Sequence, residues 1–237
     1  MPMVYNQLRM KKDIKVTVVI PVFNEEKFIR RCLESLMVQK KCADEIIVVD
    51  NNSTDKTVEI CKAFPTRVIQ EPIQGIISAR NAGFNAATGD LIARCDGDTI
   101  LPKDWICKIK DDFKKSNIDL LAGPVSFYDG PIRSSIPSKL LLFTLKKIKK
   151  QNLIIGANMI VTKAFWGKIK KHICLDDKRV HEDIDLALHA SEIGGVVGYD
   201  KSLVVKMSAR RIKKKPQSFF IEYPIRLFRT LHKHNSS

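Results

Sequence analysis

The sequence predicts an α/β domain built on a mostly parallel sheet that carries helices on both faces. Apolar runs of strand length, such as residues 16–20 and 46–49, are nearly continuous, as in strands that are buried on both faces. Segments of helical periodicity lie between these runs, and such alternation is typical of a parallel sheet. The 237 residues, 44% of them hydrophobic, suffice for one such domain with a full core.

The first half of the chain alternates regularly between strands and helices. Residues 16–20 are predicted to form a strand that ends at Pro21, and Asn24 to cap the next helix, with Glu25 and Glu26 in its first turn. The remaining elements of this half are strands at residues 45–50, 67–69 and 91–95, and helices through residues 28–37, 58–64 and 77–86. Either Ser53 or Thr54 is expected to cap the second helix.

The second half is less regular. Its predicted elements are a helix at residues 102–116, a strand at 120–128, a basic helix at 139–150, an apolar segment at 153–162, a helix at 180–193, strands within 196–205 and a last helix at 217–234. The last helix carries Phe219 and Phe220 on its apolar side. We expect Pro224 to kink or divide it, because proline lacks the N–H that a helix interior needs.

The net charge of +15 favours an anionic partner, which could be nucleic acid, an anionic membrane surface or a phosphorylated substrate. Residues 201–237 alone hold ten Lys and Arg against one acid, Glu222, although a solvated lysine face would show the same pattern. The six cysteines form no Cys-x-x-Cys pair, which is typical of reduced thiols. With no apolar leader before residue 15 and no run of about 18 apolar residues, we expect a soluble, cytoplasmic domain.

Three polar loops follow strands, at residues 21–25, 50–52 and 96–98. The carboxyl ends of parallel strands meet at one edge of a sheet, where ligands bind. In the third loop, Asp96 and Asp98 flank Gly97, and two carboxylates so spaced can turn toward one point. They could hold a magnesium- or manganese-type cation, whereas an ordinary turn would bind nothing.

An acidic cluster, Glu182, Asp183 and Asp185, opens the helix at residues 180–193. Acids at a helix N-terminus stabilise the helix dipole, and one of them could instead serve as a general base. His181, Asp185 and His189 also share a helix face and could suggest a zinc site. Stable zinc sites usually draw ligands from more than one element, so a partly exposed helix face is the favoured interpretation.

Taken together, these residues resemble the family 2 glycosyltransferases, which have the GT-A fold with a Rossmann-like sheet. The resemblance rests on residues 18–26 (VVIPVFNEE), 45–55 (EIIVVDNNSTD), 79–83 (ARNAG), 96–98 (DGD) and 182–183 (ED), in the family's order. It implies inverting transfer of a sugar from a nucleoside-diphosphate sugar, with uridine as the favoured base, to a hydroxyl acceptor that could be lipid-linked. A role in cell-envelope glycan or glycolipid synthesis and a Mn²⁺ or Mg²⁺ cofactor follow from the same resemblance.

The resemblance also implies roles for individual residues. Those that match the nucleoside pocket are Pro21, Phe23, Glu25, Asp50 and Asn52. Arg80 would approach the base or the phosphates, and Asp98 would ligate the metal. Asp96 would contact the ribose or the metal, with Gly97 beside it. Asp183 would be the general base and Glu182 would orient the acceptor. The residues expected near the sugar, the acceptor or the diphosphate are Gly156, Asn158, Arg210 and Arg211.

The resemblance divides the chain into a lead-in at 1–14, a glycosyltransferase domain at 15–212 and a basic amphipathic C-terminal helix at 213–237. Within the domain, 15–100 would bind the nucleotide and 101–212 the acceptor. The absence of a Gln-x-x-Arg-Trp motif favours a non-processive enzyme. The basic C-terminus could rest on the inner face of an anionic membrane.

Two other functions compete with this interpretation. A basic nucleic-acid-binding protein would account for the charge, but the sequence has no recognisable binding motif, and we expect no nucleic-acid partner. A nucleotidyltransferase would carry a glycine-rich basic loop after its first strand, and residues 21–26 are neither glycine-rich nor basic.

Overall fold

A computed structural model of the chain describes residues 13–130, 133–176, 180–214, 217 and 222–233. The strands are β1 (Val16–Val22), β2 (Glu45–Asp50), β3 (Arg67–Gln70), β4 (Leu91–Arg94), β5 (Leu120–Ala122), β6 (Val125–Phe127), β7 (Met159–Thr162), β8 (Val197–Tyr199) and β9 (Val205–Met207). The helices are α1 (Ile29–Met37), α2 (Thr57–Lys62), α3 (Ile76–Ala86), α4 (Trp105–Lys115), α5 (Ile136–Lys149), α6 (Lys163–Ile169), α7 (Glu182–Glu192), α8 (Arg210–Lys214) and α9 (Tyr223–Lys233).

The expected α/β class with a mostly parallel sheet is confirmed. A seven-stranded sheet has the order β3-β2-β1-β4-β7-β5-β8, and β6 pairs with β9 in a second, two-stranded sheet. The four strands β3, β2, β1 and β4 run parallel, while β7 lies antiparallel between β4 and β5. The carboxyl ends of the parallel strands therefore meet at one edge.

Strand β1 continues past the predicted end at Pro21 to Val22. Proline is tolerated there because β4 pairs with β1 only over Val16–Val19, so Pro21 lies beyond the ladder on that side. The predicted range, residues 16–20, is therefore two residues shorter than the strand.

The predicted helix caps were also wrong. Helix α1 begins at Ile29, with Phe28 at its N-cap position and no side-chain cap, and α2 begins after Lys56 in the same way. The Asn24 side chain instead accepts a hydrogen bond from the Thr54 amide, at 2.8 Å. The polar residues after β1 and β2 form hydrogen bonds with each other and therefore do not cap the helices.

The single strand predicted at residues 120–128 is two strands in different sheets. The chain turns at Gly123 and Pro124, where a Cβ on Gly123 would lie 2.2 Å from the Leu203 carbonyl oxygen. Helix α9 runs from Tyr223 to Lys233 with Pro224 in its first turn, and residues 218–221 of the predicted helix lie outside the described residues.

Alternate residues of the central strands pack into two cores, one on each face of the sheet. Val19 and Val49 belong to one core, and Val18 and Val48 to the other. Residues 1–12 of the expected lead-in, together with Phe219 and Phe220, lie outside the described residues. Within the described part of the chain, no helix is both long enough and apolar enough to cross a membrane.

Candidate functional site

The loops that follow β1 and β2 form one interlocked surface at the sheet edge. The Asn24 amide donates to Ser53 Oγ at 3.0 Å, and the Glu25 amide donates to Thr57 Oγ1 at 2.7 Å. Asn24 and Asn52 adopt left-handed backbone conformations, with φ of 54° and 69°. Asparagine tolerates this region better than most residues do, which explains its use at both turns.

Residues expected in the nucleoside pocket fall into two groups at this edge. Pro21 and Asp50 are buried, and Asp50 accepts a hydrogen bond from Gln70 Nε2 at 3.0 Å. The Phe23 side chain is 48% exposed, and Asn52 is also exposed. Phe23 and Asn52 are therefore accessible to a ligand, whereas Asp50 is buried and stabilises the loops.

Asn51 has a structural role that the sequence did not indicate. Its amide nitrogen donates to the carbonyl oxygens of Glu71 and Ile73, both at 2.8 Å, and its oxygen accepts from the Gly75 amide, also at 2.8 Å. These bonds fasten the segment after β3 to the end of β2. Asn51 thus shapes the edge of the site from a buried position.

The two acids of the Asp96-Gly97-Asp98 loop contact different cationic side chains. Asp96 Oδ1 lies 3.1 Å from Arg94 Nη2, and Asp98 Oδ2 lies 3.1 Å from Arg210 Nε. Arg210 also forms an ion pair with Glu25, so its guanidinium lies between two carboxylates from different loops. The loop is consequently tied both to the end of β4 and to the loop after β1.

Arg210 is held firmly in this position. Its guanidinium carbon lies 4.5 Å from the centre of the Phe28 ring, within the range of a cation–π contact. Burial alone would lower the pKa of Arg210, but Glu25 and Asp98 outweigh burial and raise that pKa above its ordinary value. The side chain of Arg211 lies outside the described part of the structure.

Glu182 lies between two buried arginines. It forms ion pairs with Arg80, at 2.5 Å, and with Arg94. Burial alone would raise the pKa of Glu182, but Arg94 and Arg80 outweigh it and lower that pKa. Arg80 was expected near the base or the phosphates. In the structure it is instead 0% exposed, and its guanidinium pairs with Glu182. Both carboxylate oxygens of Glu182 are paired with these arginines.

The pKa of Asp183, the next residue, is shifted in the opposite direction. Its Oδ2 accepts a hydrogen bond from the Gly156 amide at 2.9 Å, and its Oδ1 accepts from the Ile184 amide at 2.8 Å. Burial, followed by the neighbouring Glu182 charge, raises the pKa of Asp183. Such a carboxylate binds a proton more readily than an ordinary aspartate, which suits a general base.

Asn158, expected near the sugar, the acceptor or the diphosphate, has no exposed surface that a ligand could contact. It is fully buried, its oxygen accepts a hydrogen bond from Trp105 Nε1 at 3.0 Å, and its nitrogen donates to the Leu203 carbonyl at 2.6 Å. Its amide is thus engaged in joining α4 to the segment before β9. Gly156 does lie near the site, because a Cβ there would be 2.9 Å from Glu182 Oε1.

Sequence reasoning missed Arg94, which links the two acidic groups. It contacts Glu182 on one side and Asp96 on the other, and only 3% of its side chain is exposed. The available signal was an arginine at the end of the buried apolar strand at residues 91–95. A charge in such a strand needs an anionic partner, and the partner comes from an element far along the chain.

The family model for "Glycosyl transferase family 2" matches residues 17–174, which is most of the chain. The chain belongs to glycosyl transferase family 2. It therefore carries a glycosyltransferase domain, and its matched region includes the acidic loop but ends before Asp183.

Individual relatives agree with the family. Glycosyltransferase GlyA of Streptococcus pneumoniae is 33% identical over 116 residues, which are 47% of this chain and 17% of GlyA. The family 2 chain thus spans much less than the whole of that relative. Mannosyltransferase PcManGT from Pyrobaculum calidifontis, solved with GDP-Man and Mn²⁺, has a TM-score of 0.72 at 18% identity, covering 100% of this chain and 72% of PcManGT.

A second structure shares the fold. S. aureus TarS 1-349, solved with UDP-GlcNAc, has a TM-score of 0.66 at 18% identity, and the match covers 83% of this chain and 59% of that one. At this level of identity the two structures establish a common fold. That fold is the GT-A fold expected for family 2.

The residues at the acidic loop fit a divalent cation. Asp98, Asp96 and Glu25 offer oxygen ligands only, as Mg²⁺ and Mn²⁺ prefer. The Arg210 guanidinium between Glu25 and Asp98 demonstrates that these carboxylates accommodate positive charge. Gly97 allows the acidic loop to pack against Glu25, since a Cβ there would lie 3.1 Å from the Glu25 Cγ.

Proposed function

We propose that this chain is the catalytic domain of an inverting, non-processive glycosyltransferase that moves a sugar from a nucleoside-diphosphate sugar to a hydroxyl acceptor. The observation that carries the proposal is the position of Arg94, which contacts Asp96 of the acidic loop and also Glu182, the neighbour of Asp183. Asp183, which is suited to proton removal, is therefore next in sequence to a residue that Arg94 links to the acidic loop, whose carboxylates suit a donor's metal ion. Family membership supports this over the nucleic-acid-binding and nucleotidyltransferase alternatives.

The donor nucleoside would bind at the edge formed by the loops after β1 and β2. The exposed Phe23 ring, in the loop after β1, offers a flat apolar surface to a base, and the exposed Asn52, in the loop after β2, offers a polar side chain. Asp50 and Pro21 would support these loops from their buried positions. We retain uridine as the favoured base, although PcManGT was solved with a guanosine donor.

The donor diphosphate would lie over the Asp96-Gly97-Asp98 loop. Asp98 would be the principal metal ligand and Asp96 would lie nearer the ribose. A bound Mn²⁺ or Mg²⁺ would neutralise the charge that develops on the leaving diphosphate. Arg210 is a second candidate for contacting the diphosphate, because its guanidinium is held between Asp98 and Glu25.

Asp183 would act on the acceptor. Its carboxylate takes the proton from the attacking hydroxyl, and its raised pKa strengthens it as a base. The Gly156 amide fixes one of its oxygens at 2.9 Å. With the base and the leaving diphosphate on opposite faces of the anomeric carbon, a single displacement inverts that centre, by the logic that also governs inverting hydrolysis.

The substitution Asp183→Asn tests this assignment. We expect transfer to fall by at least about a hundredfold, because the amide cannot accept the proton. Binding of UDP or GDP with Mn²⁺, measured by calorimetry, should stay near the parental value. The donor is first identified by a thermal-shift screen of nucleotide sugars, and transfer is then measured as release of the nucleoside diphosphate.

Two further variants make the result specific. Asp111→Asn, at an exposed position of α4, should leave transfer unchanged. Asp98→Ala should weaken nucleotide binding and remove its response to Mn²⁺. Near-parental turnover by Asp183→Asn would show that another group is the base, whereas a full response to Mn²⁺ in Asp98→Ala would overturn the metal assignment separately.

We also propose that the acceptor is presented at an anionic membrane surface. Helix α5 exposes Ile136, Leu140 and Phe143 along one side, at 69%, 61% and 55% exposure. Lysines flank this stripe, and Lys147 Nζ lies 4.9 Å from the Phe143 ring centre. Exposed apolar side chains bordered by cationic ones are typical of helices that bind anionic lipid.

Helix α9 extends the same basic and apolar surface. It exposes Ile225 and Phe228, and Arg226 and Arg229 lie next to them in sequence. Lys149 Nζ donates a hydrogen bond to the Leu231 carbonyl at 2.9 Å, which joins α5 to α9. A lipid-linked acceptor in cell-envelope synthesis would be found at such a surface.

A further inference from the structure

A second cluster of chemically reactive side chains lies on α7 beyond the acidic pair. It consists of Cys174, Asp185 and His189, whose ligand atoms all lie within 4.8 Å of one another. His189 Nε2 is 3.8 Å from Cys174 Sγ and 3.6 Å from Asp185 Oδ1. The sulfur comes from the segment after α6, and the other two atoms come from successive turns of α7. The proposed glycosyl transfer uses none of these three residues.

Existing contacts hold the three side chains of the cluster close together. Asp185 is buried, and its second oxygen accepts a hydrogen bond from the Cys174 amide at 2.9 Å, which brings the two residues together. His189 Nδ1 lies 2.7 Å from Glu192 Oε2. A carboxylate on Nδ1 holds the proton there and leaves Nε2 as the ligand atom, which is the usual arrangement around metal-binding histidines.

We propose that Cys174, Asp185 and His189 bind a single zinc-type divalent ion. Tetrahedral zinc, with bonds of about 2.3 Å to sulfur and 2.0 Å to nitrogen, holds these two ligand atoms about 3.5 Å apart. The separation of 3.8 Å here is close to that, so small side-chain movements would complete the coordination. A thiolate and an imidazole select zinc over magnesium or manganese, which prefer oxygen ligands. The fourth position would be taken by water or another ligand.

The structure changes the zinc hypothesis that the sequence alone suggested. The sequence pattern offers three ligands from one helix face, His181, Asp185 and His189, which is an unfavourable arrangement for zinc. In the structure Cys174 takes the third place, so the ligands come from two segments, as in most stable zinc sites. The ion would join Cys174 to α7, whose first turn carries Glu182 and Asp183. It would thereby stabilise the part of the chain that presents the proposed base.

The test uses the full chain without a polyhistidine tag, stripped of metal by a chelator and then titrated with Co²⁺ and Zn²⁺. We expect one Co²⁺ to bind with a sulfur-to-cobalt charge-transfer band, which an oxygen-only site cannot give. Zn²⁺ should displace Co²⁺. At about a hundred times its Kd, Zn²⁺ should raise the Tm by about 5 to 10 °C. Cys174→Ser and His189→Ala should each abolish the band and the Tm shift.

Control variants separate this site from other thiols, other histidines and the donor site. Cys107→Ser and His172→Ala should keep the band, and Asp98→Ala should also keep it because that residue belongs to the nucleotide edge. Circular dichroism of the metal-free variants should match that of the parent, so that loss of the band is not loss of folding. Absence of the band in the parent, or its persistence in Cys174→Ser, would overturn the proposal without affecting the assignment of Asp183.

Discussion

At the scale of single residues, neighbouring acids acquire different properties from their surroundings. Arg94 and Arg80 outweigh the effect of burial on Glu182 and lower its pKa, whereas burial and the Glu182 charge raise the pKa of Asp183. Pairs of carboxyl groups whose pKa values are pushed apart commonly divide the roles of fixed anion and proton acceptor. Glu182 is therefore a positioning residue here, and Asp183 is the candidate base.

The role of Glu182 leads to a prediction about stability. Glu182→Gln should lower the free energy of unfolding by about 3 to 5 kcal/mol, because it removes the carboxylate that pairs with buried Arg80 and leaves buried Arg94 with Asp96 alone. Because the pKa of Glu182 is lowered by folding, its ion pairs stabilise the parent above its ordinary pKa of about 4.3, and this is lost as pH falls below that value. The variant should lack that part of the acid dependence.

Urea denaturation at several pH values measures both effects. Glu34→Gln, at an exposed position of α1, is the matched control and should change stability by less than about 0.5 kcal/mol. Equal stability of Glu182→Gln and the parent at neutral pH would mean that the two arginines are compensated by other groups.

At the scale of elements, close approach of α3 to the sheet is made possible by Gly83. A Cβ at this position would lie 2.3 Å from Val19 Cγ1 and 2.8 Å from Val49 Cγ2. Both valines are buried and β-branched, so neither can rotate away cheaply. The same helix carries Arg80, so its distance from β1 and β2 also determines where that arginine meets Glu182.

Gly83→Ala should therefore destabilise the protein by about 1 to 3 kcal/mol, because the added methyl group overpacks a full core. Gly167→Ala is the matched control, since a Cβ at this helical position of α6 meets nothing within 4 Å. That variant should be neutral or more stable by up to about 1 kcal/mol, because alanine is the better helix former. Thermal or urea unfolding of both variants checks the prediction, and equal effects would contradict it.

At the scale of the whole molecule, the proposed membrane surface brings α5 and α9 together from distant parts of the sequence. The net charge of +15 favours long-range attraction to anionic lipid, while exposed apolar side chains would give short-range affinity. Neither helix needs to cross the bilayer for this contact.

Phe143→Glu tests the surface as a whole. It should weaken binding to vesicles of phosphatidylcholine with about one third phosphatidylglycerol by about tenfold, because it removes an apolar contact and adds a repelled charge. Val38→Glu, at the same 55% exposure elsewhere on the molecule, is the control and should have much less effect. Cosedimentation measures both. Equal binding of parent and Phe143→Glu, or binding of the parent that ignores added salt, would contradict the proposal.

The sequence was informative wherever a signal is local. Near-continuous apolar strands, helical periodicity and polar residues after strands predicted the α/β class and the loops at residues 21–25, 50–52 and 96–98. Local signals failed for the helix caps at Asn24 and Ser53, because these polar side chains bind across loops. They also failed at Gly123, where a strand changes sheet because its backbone passes close to Leu203.

By itself, then, the sequence determined the fold class, the family and the acidic residues that the site contains, since these depend on periodicity, spacing and residue type. Only the tertiary structure decided what each residue contacts. It assigned Arg80 and Asn158 to buried supporting positions, linked Asp96 to Glu182 through Arg94, and brought Cys174 to Asp185 and His189. Each of these outcomes joins residues from distant parts of the chain. Such contacts depend on how strands and helices pack, and no local pattern of residues records that packing.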